Sequence, residues 1–340
     1  MNKRTKIIIA VVVILAILAG IVIIYRNTHK TAGKESLSEE FFAMDTVMQI
    51  TLDPTDETTK SPDEIMTELR DVIYRMEREF SVTDPDSDIS RLNSKKGEWI
   101  TVSDDTWELI KKAIHVSEET KGAFDISIYP VVKLWGFTGS EHHVPTGSEI
   151  DDVLEDVGYE NIELGSVDGE NDVRLSSRAP GAMIDLGACA KGYLSDVLCD
   201  IIRSYGANGI VSLGGNVQTV GVREDGRPFV VGITDPLNTD SLYDKVECSD
   251  GAVVTSGNYE RYFEENGRRY HHIMDPKTGM PAESGIASVT VMGPDGFICD
   301  AYATAIFVSG DEGAKDFVSS HDGYTVLVIY KDGNCRWYGK

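Results

Sequence analysis

Helical and strand periodicities alternate along most of the chain. Ser61-Pro62-Asp63-Glu64 reads as a capping box with Pro at the first helical position. Ile65, Leu69, Val72, Met76 and Phe80 then keep helical spacing, which predicts one buried face. Residues 80–93, FSVTDPDSDISRLN, break that helix into a polar loop. Ser103 begins a second helix, with Trp107, Ile110, Ile114 and Ser117 on its face and Gly122 at its end. His115 falls off that face and reads as a surface residue. Ile150 to Val157 predicts a short helix. In residues 184–196, IDLGACAKGYLSD, a strand runs into glycine-rich backbone and then a helix. Its apolar positions are Leu194, Val197, Leu198, Ile201 and Ile202, and Gly206 caps it.

Strands are predicted from Phe41 to Leu52 as one element, and at 173–175, 183–186, 209–215, 229–233, 252–255, 288–292 and 324–330. Asp332-Gly333 is the turn to a last hairpin partner, Asn334 to Tyr338. Helices and strands interleave without a regular βαβ period, and no repeat of solenoid length is present. The expected fold is α+β, with mixed or antiparallel sheets flanked by helices.

One stretch lies outside this pattern. Ile7 to Tyr25 is an uncharged apolar run of nineteen residues after Lys3, Arg4 and Lys6. At about 1.5 Å per residue it covers nearly 30 Å, the hydrocarbon thickness of a bilayer. Leu18-Ala19-Gly20-Ile21 has Ile where a lipidated Cys would stand, and no Cys precedes Cys189. The run reads as an uncleaved transmembrane signal anchor, the alternative being a cleaved signal peptide. The expected organisation is a cytoplasmic tail at 1–6, a single-pass anchor at 7–25, a linker at 26–40 and one domain at 41–340 outside the cytoplasm.

The chain carries 32 basic and 56 acidic residues, a net charge of −24. Six of the basic residues and no acid lie in the first 34 positions, so the body balances 26 basic against 56 acidic side chains, or −30. Such a body repels phosphate backbones, which argues against nucleic acid as a partner, and an anionic ligand needs a local cation. The five cysteines are scattered with no CxxC, which indicates neither a disulfide scaffold nor a zinc site.

Candidate chemistry gathers where polar or glycine-rich residues interrupt core elements. In CDAYATAIFVSG, Asp300 and Thr304 are four apart and share a face if the segment is helical. A carboxylate and a hydroxyl so placed are hard oxygen ligands suited to magnesium. The alternative is structural: Asp300 as an N-cap, and Thr304 bonded back to a carbonyl one turn earlier. Lys191 sits near a helix start, where ammonium and helix dipole both favour an anion. No GxGxxG opens a βαβ unit, and Walker A, GxSxG and HExxH motifs are absent.

The polar stretches, taken in order, carry more. They are AMDT at 43–46, FSVTDPDSDISRLN, GAFDISIYPVVKLWGF at 122–137, IDLGACAKGYLSD, SLGGN at 212–216, TSGNYERYF from 255, YHHIMDPKTGMP at 270–281, and DAYAT at 300–304. This series resembles the ApbE-type FAD:protein FMN transferase family over roughly residues 41–330. The resemblance implies an ApbE-like fold and a magnesium-dependent enzyme. Such an enzyme moves FMN from its substrate FAD to a Thr or Ser hydroxyl of an exported or membrane flavoprotein and releases AMP. It implies a metal shell from Asp300, Thr304 and the Ala188 carbonyl. Cofactor contacts fall on Met44, Ser81, Asp125, Asp185 and Lys191. His272, before the DPKTG turn, is implied as a cofactor contact and as the base for the acceptor's proton; His271 is adjacent, and either could instead bind phosphate or cap the turn.

Two departures stand out. Met44-Asp45-Thr46 replaces the common MGT, and the lipobox is absent. Two other readings use the same residues: a magnesium-dependent FAD pyrophosphatase with water as nucleophile, and a non-catalytic flavin reservoir.

Overall fold

The capping box at Ser61 forms as its sequence dictates: the Ser61 hydroxyl accepts from Glu64 N–H, and the Glu64 carboxylate accepts from Ser61 N–H. It opens α1 (Pro62–Phe80), which buries Ile65, Leu69, Ile73, Met76 and Phe80. At about 1.5–3 kcal/mol for each side chain removed from water, this face alone fixes the helix to the body. The computed structural model describes residues 35–139 and 141–340. The tail, the anchor and most of the linker expected from the sequence lie outside these residues. No described helix is long and apolar enough to cross a membrane.

The centre is an eight-stranded sheet in the order β1-β2-β6-β7-β10-β13-β14-β15. Its strands are β1 (Leu37–Ala43), β2 (Thr46–Asp53), β6 (Asn208–Leu213), β7 (Asn216–Val220), β10 (Ala252–Gly257), β13 (Ile286–Gly293), β14 (Thr325–Tyr330) and β15 (Cys335–Tyr338). Every neighbouring pair is antiparallel. The α+β expectation holds, and of the two sheet types foreseen this one is antiparallel. Two helices, α6 (Ala190–Ser204) and α7 (Gly296–Ser309), pack against the sheet and against each other. On β14, Leu327 and Ile329 are covered by Ile233 and Val246 of the hairpin β8 (Phe229–Thr234) and β9 (Leu242–Cys248). A smaller sheet, β3 (Ile100–Thr101), β5 (Glu170–Leu175) and β4 (Ile162–Val167), packs with α2 (Asp88–Ser94) and α3 (Asp104–Glu119). Helices α4 (Tyr129–Leu134) and α5 (Gly147–Leu154) join β12 (Arg268–His271), partner of β11 (Tyr262–Glu265), around Trp135 and Tyr270. Helix α8 (Asp311–Ser320) leads into β14.

Several expectations are corrected. Phe41–Leu52 is not one strand but the hairpin β1–β2, closed by Met44 and Asp45 at φ 49° and 58°. Two consecutive positive φ values define the two-residue turn that matches strand twist, and Met-Asp is not its usual sequence. The expected loop at 80–93 contains α2, whose N-cap Ser87 accepts from Ser90 N–H. The face of α3 is rotated, burying Leu109, Ala113 and Val116 with Ile110 and Ser117 and leaving Trp107 at the margin. Residues 183–186 form only an isolated bridge from Met183 to Ile128. Leu37 to Glu40, read as linker, belong to β1.

Candidate active site

One end of the sheet gathers the polar stretches. Register places the β1–β2 turn at Met44-Asp45 beside the β6–β7 turn at Gly214-Gly215, where Gly214 N–H donates to the Val47 carbonyl at 3.1 Å. Gly214 must be glycine there: its φ is 61°, and a Cβ would lie 2.4 Å from Thr46 Oγ1. Asn216 follows at the start of β7, and antiparallel pairing brings the C-terminal end of β10 to the same end.

Helix α7 begins at Gly296, so Asp300 lies past its first turn. The N-cap is Asp295, whose carboxylate accepts from Ile298 N–H at 2.8 Å, so Asp300 is not that cap. Asp300 is buried, and its Oδ2 accepts from the Gly192 backbone N–H of α6 at 2.9 Å. The two helices cross where neither carries a side chain. A Cβ on Gly192 would meet the Gly296 carbonyl at 2.4 Å and Asp300 Cβ at 2.6 Å. Because Gly192 N–H is taken by Asp300, the Ala188 carbonyl, its usual helical acceptor, receives no hydrogen bond among the described residues. Thr304, one turn after Asp300, faces Ser256 of β10, with 3.2 Å between the hydroxyl oxygens.

Burial raises the Asp300 pKa above the carboxylate range; Lys191, Gly192 N–H and the Asn216 amide offset this in part. Asp185 is raised for the same reason, against the Gly187 N–H that it accepts at 2.9 Å and the charges of Arg261 and Lys191. Solvent reaches Glu260, yet the protein around it pushes its carboxyl up to about 7, with Lys191 opposing and Asp300 adding. Lys191 Nζ donates to the Gly187 carbonyl at 3.4 Å. The charge of Lys191 thus opposes the upward shift of all three carboxyls, and that of Arg261 the shift of Asp185.

His272 keeps some solvent contact. Its Nδ1–H donates to the Arg261 carbonyl at 3.1 Å, which leaves the Nε2 lone pair available. Burial, Arg261, His271 and Lys191 hold its pKa down to about 3, against that backbone bond. His271 is buried behind it, donating Nε2–H to the Ala282 carbonyl at 3.1 Å and stacking edge-on to Phe307.

The structure brings Asp185, Ala188, Lys191, His272, Asp300 and Thr304 to this end. Met44, Ser81 and Asp125 make no hydrogen bond to that group among the described residues; each is held by its own neighbours. Met44 N–H donates to Glu77 Oε1 at 2.7 Å. Ser81 Oγ accepts from Asp84 N–H at 3.0 Å. Both Asp125 oxygens accept backbone bonds, from Ser127 and Tyr159. The Asp185 N–H donates to the Ile126 carbonyl at 2.9 Å, and Asn93 clamps both backbone groups of Ile184. Sequence reasoning passed over Gly192, Asn216, Ser256, Glu260 and Arg261. All sit inside the stretches that carried the resemblance, but nothing in their spacing sets them apart.

The donor set fits a small hard cation. It offers one carboxylate, a hydroxyl and a carbonyl that accepts no hydrogen bond among the described residues, all oxygen, beside acids whose pKa is held above the usual value chiefly by burial. No group of three or more His, Cys, Asp and Glu side chains suited to a metal gathers among the described residues. The neighbouring thiols of Cys189 and Cys299 are buried and pushed well up, so they offer no thiolate to a softer metal.

Residues 44–328 match the ApbE family. The chain is 32% identical over 280 residues to the FAD:protein FMN transferase of Vibrio cholerae, covering 81% of this chain and 82% of that one. It is 33% identical over 279 residues to the FAD:protein FMN transferase of Treponema pallidum, covering 78% and 76%. Among solved structures, the ApbE protein of Thermotoga maritima superposes with a TM-score of 0.81 at 35% identity, covering 89% of this chain and 96% of that one. The flavin transferase ApbE of Vibrio cholerae gives 0.77 at 30% identity, covering 89% and 96%.

Proposed function

Since the chain belongs to the ApbE family, we propose that it is a magnesium-dependent FAD:protein FMN transferase acting on a Thr or Ser hydroxyl of an exported or membrane flavoprotein. The observation that carries the magnesium reading is the diversion of Gly192 N–H to Asp300, which orients one carboxylate oxygen and frees the Ala188 carbonyl together. Asp300, Thr304 and Ala188 would hold the ion. When bound, it supplies Lewis-acid charge neutralisation to the diphosphate of FAD.

The chain's own residues do the rest. Lys191, at the first turn of α6, adds a cation and a helix N-terminus for the phosphates. Asp185, Met44, Ser81 and Asp125 shape the cofactor cleft. His272 Nε2 takes the proton of the acceptor hydroxyl as its oxygen bonds to the FMN phosphorus, and the bond from that phosphorus to the AMP phosphate oxygen breaks. A pKa of about 3 makes His272 a weak base in the free protein. The negative charge of a diphosphate beside it would draw that value up, toward the range where a general base works well. His271 lacks such access. The apolar run Ile7–Tyr25 supports a cell-membrane anchor with the catalytic body outside the cytoplasm.

The test mixes the protein with FAD, magnesium and a peptide carrying a candidate Thr. A mass gain of one FMN on the peptide is expected, and Asp300→Ala should abolish it. Free FMN and AMP would favour the pyrophosphatase, and flavin retained intact the reservoir. Full transfer by Asp300→Ala would remove the metal reading.

A further inference from the structure

We propose that Arg261 and Phe137 are positioning residues for His272: together they brace its ring so that Nε2 faces the acceptor hydroxyl. The inference rests on the reading of His272 as the acceptor's base. His272 stands opposite Arg261, one pair beyond Tyr262 and His271 at the end of the β11–β12 ladder. The Arg261 carbonyl accepts twice from this one residue, from its backbone N–H at 3.0 Å and from Nδ1–H at 3.1 Å. A carbonyl oxygen has two lone pairs, so both are engaged and the tautomer of the ring is set.

Phe137 limits how the ring can tilt about that oxygen. Its own ring meets the His272 ring edge to face, with 6.4 Å between centroids and 62° between planes. Phe137 is buried and also packs against Phe263 of β11, centroids 5.6 Å apart. The third side of the brace is a bond from Arg261 Nη2 to the Phe137 carbonyl at 2.6 Å, joining residues 124 positions apart. The circuit is closed: His272 ring to Arg261 carbonyl, Arg261 guanidinium to Phe137 carbonyl, Phe137 ring to His272 ring. A bond from an ionised donor is roughly twice as strong as a neutral one. Arg268 and Arg269 of the same hairpin pair with Glu283 and Glu264, whereas Arg261 makes no ion pair among the described residues. Its guanidinium ties the hairpin to the segment that carries Phe137. Without that tie the end of the hairpin can shift, and misplacing a catalytic group by about 1 Å can cost on the order of 100-fold in rate.

The test measures FMN transfer to the Thr peptide at saturating magnesium, with kcat and KM for FAD determined separately. Arg261→Met keeps the stem and removes the donor. Its kcat should fall about tenfold or more, with KM for FAD within about twofold of the parent. Phe137→Leu keeps the carbonyl and removes the ring, and should lower kcat in the same way. The double variant should be little worse than the poorer single, because both changes act on one ring. A raised KM for FAD with kcat unchanged would make Arg261 a contact for the diphosphate and overturn the inference. So would single losses that multiply in the double variant. A merely structural Arg261 would lower the melting temperature and leave kcat of the folded enzyme at the parent's value, which also overturns it. If Phe137→Leu does not fold, kcat and KM of Arg261→Met decide alone. His272→Ala separates the two readings. Transfer retained in that variant sinks the base and this inference together; an inactive His272→Ala beside an unaffected Arg261→Met sinks the inference alone.

Discussion

His271 and His272 are neighbours in sequence with different surroundings. His271 is sealed against Phe307, and burial holds its pKa down to about 4. A depressed histidine pKa means that the unfolded chain binds the proton more readily than the fold does. Stability tied to His271 is therefore complete above pH 6.5 and is lost as pH falls toward 4, by up to roughly 3 kcal/mol. Urea unfolding from pH 7 to 4 should show this decline, and His271→Asn should flatten it. His272 acts in the same direction, so the single substitution removes only a part. The sequence named both residues and could not choose between them. The choice rests on which ring nitrogen faces a carbonyl and which faces solvent, and neighbouring positions in a chain do not encode that.

Among elements, the crossing of α6 and α7 decides the site. Gly192→Ala would push a methyl against the Gly296 carbonyl and the Asp300 side chain. Backbone cannot yield as a side-chain tip does, so the helices must separate, at a cost of about 1–3 kcal/mol. We expect a lower melting temperature, and weaker Mn2+ binding because Asp300 moves with α7; calorimetry checks the first, and loss of the free-ion EPR signal of Mn2+ on titration into the protein checks the second. Helix α1 was legible in the sequence because its periodicity and capping box agree. The pair Asp300 and Thr304 was legible as a helical face. Three things were not. Helix α2 is too short to show a period. The Met44-Asp45 turn lacks the Asn-Gly or Asp-Gly signature, and its strain is offset locally by the bond to Glu77. The partners of Asp300, Gly192 at 108 positions away among them, come from strand and helix packing that no local pattern records.

For the whole molecule, charge sets the terms of substrate approach. A body at −30 repels an FAD diphosphate at long range, while cations attract it only inside the site. Salt screens the first effect more than the second, because the Debye length drops to about 10 Å at 0.1 M. At fixed free magnesium, raising KCl from low concentration should therefore lower KM for FAD and leave kcat nearly unchanged. A steadily rising KM in steady-state assays would mean that local cations dominate the encounter. The scattered cysteines and the acidic balance were read from composition alone, and all five thiols are free, three of them buried.

The carboxylate of Asp300 belongs to two structures at once: it finishes the first turn of one helix and projects from the second turn of another. Damage at this joint would therefore have an order. Slight loosening between the two helices would first misdirect a single oxygen, silencing the enzyme while its sheet stayed whole. Only a larger breach would reach the core. Idle but intact protein is the form in which mild mutations here should come to notice.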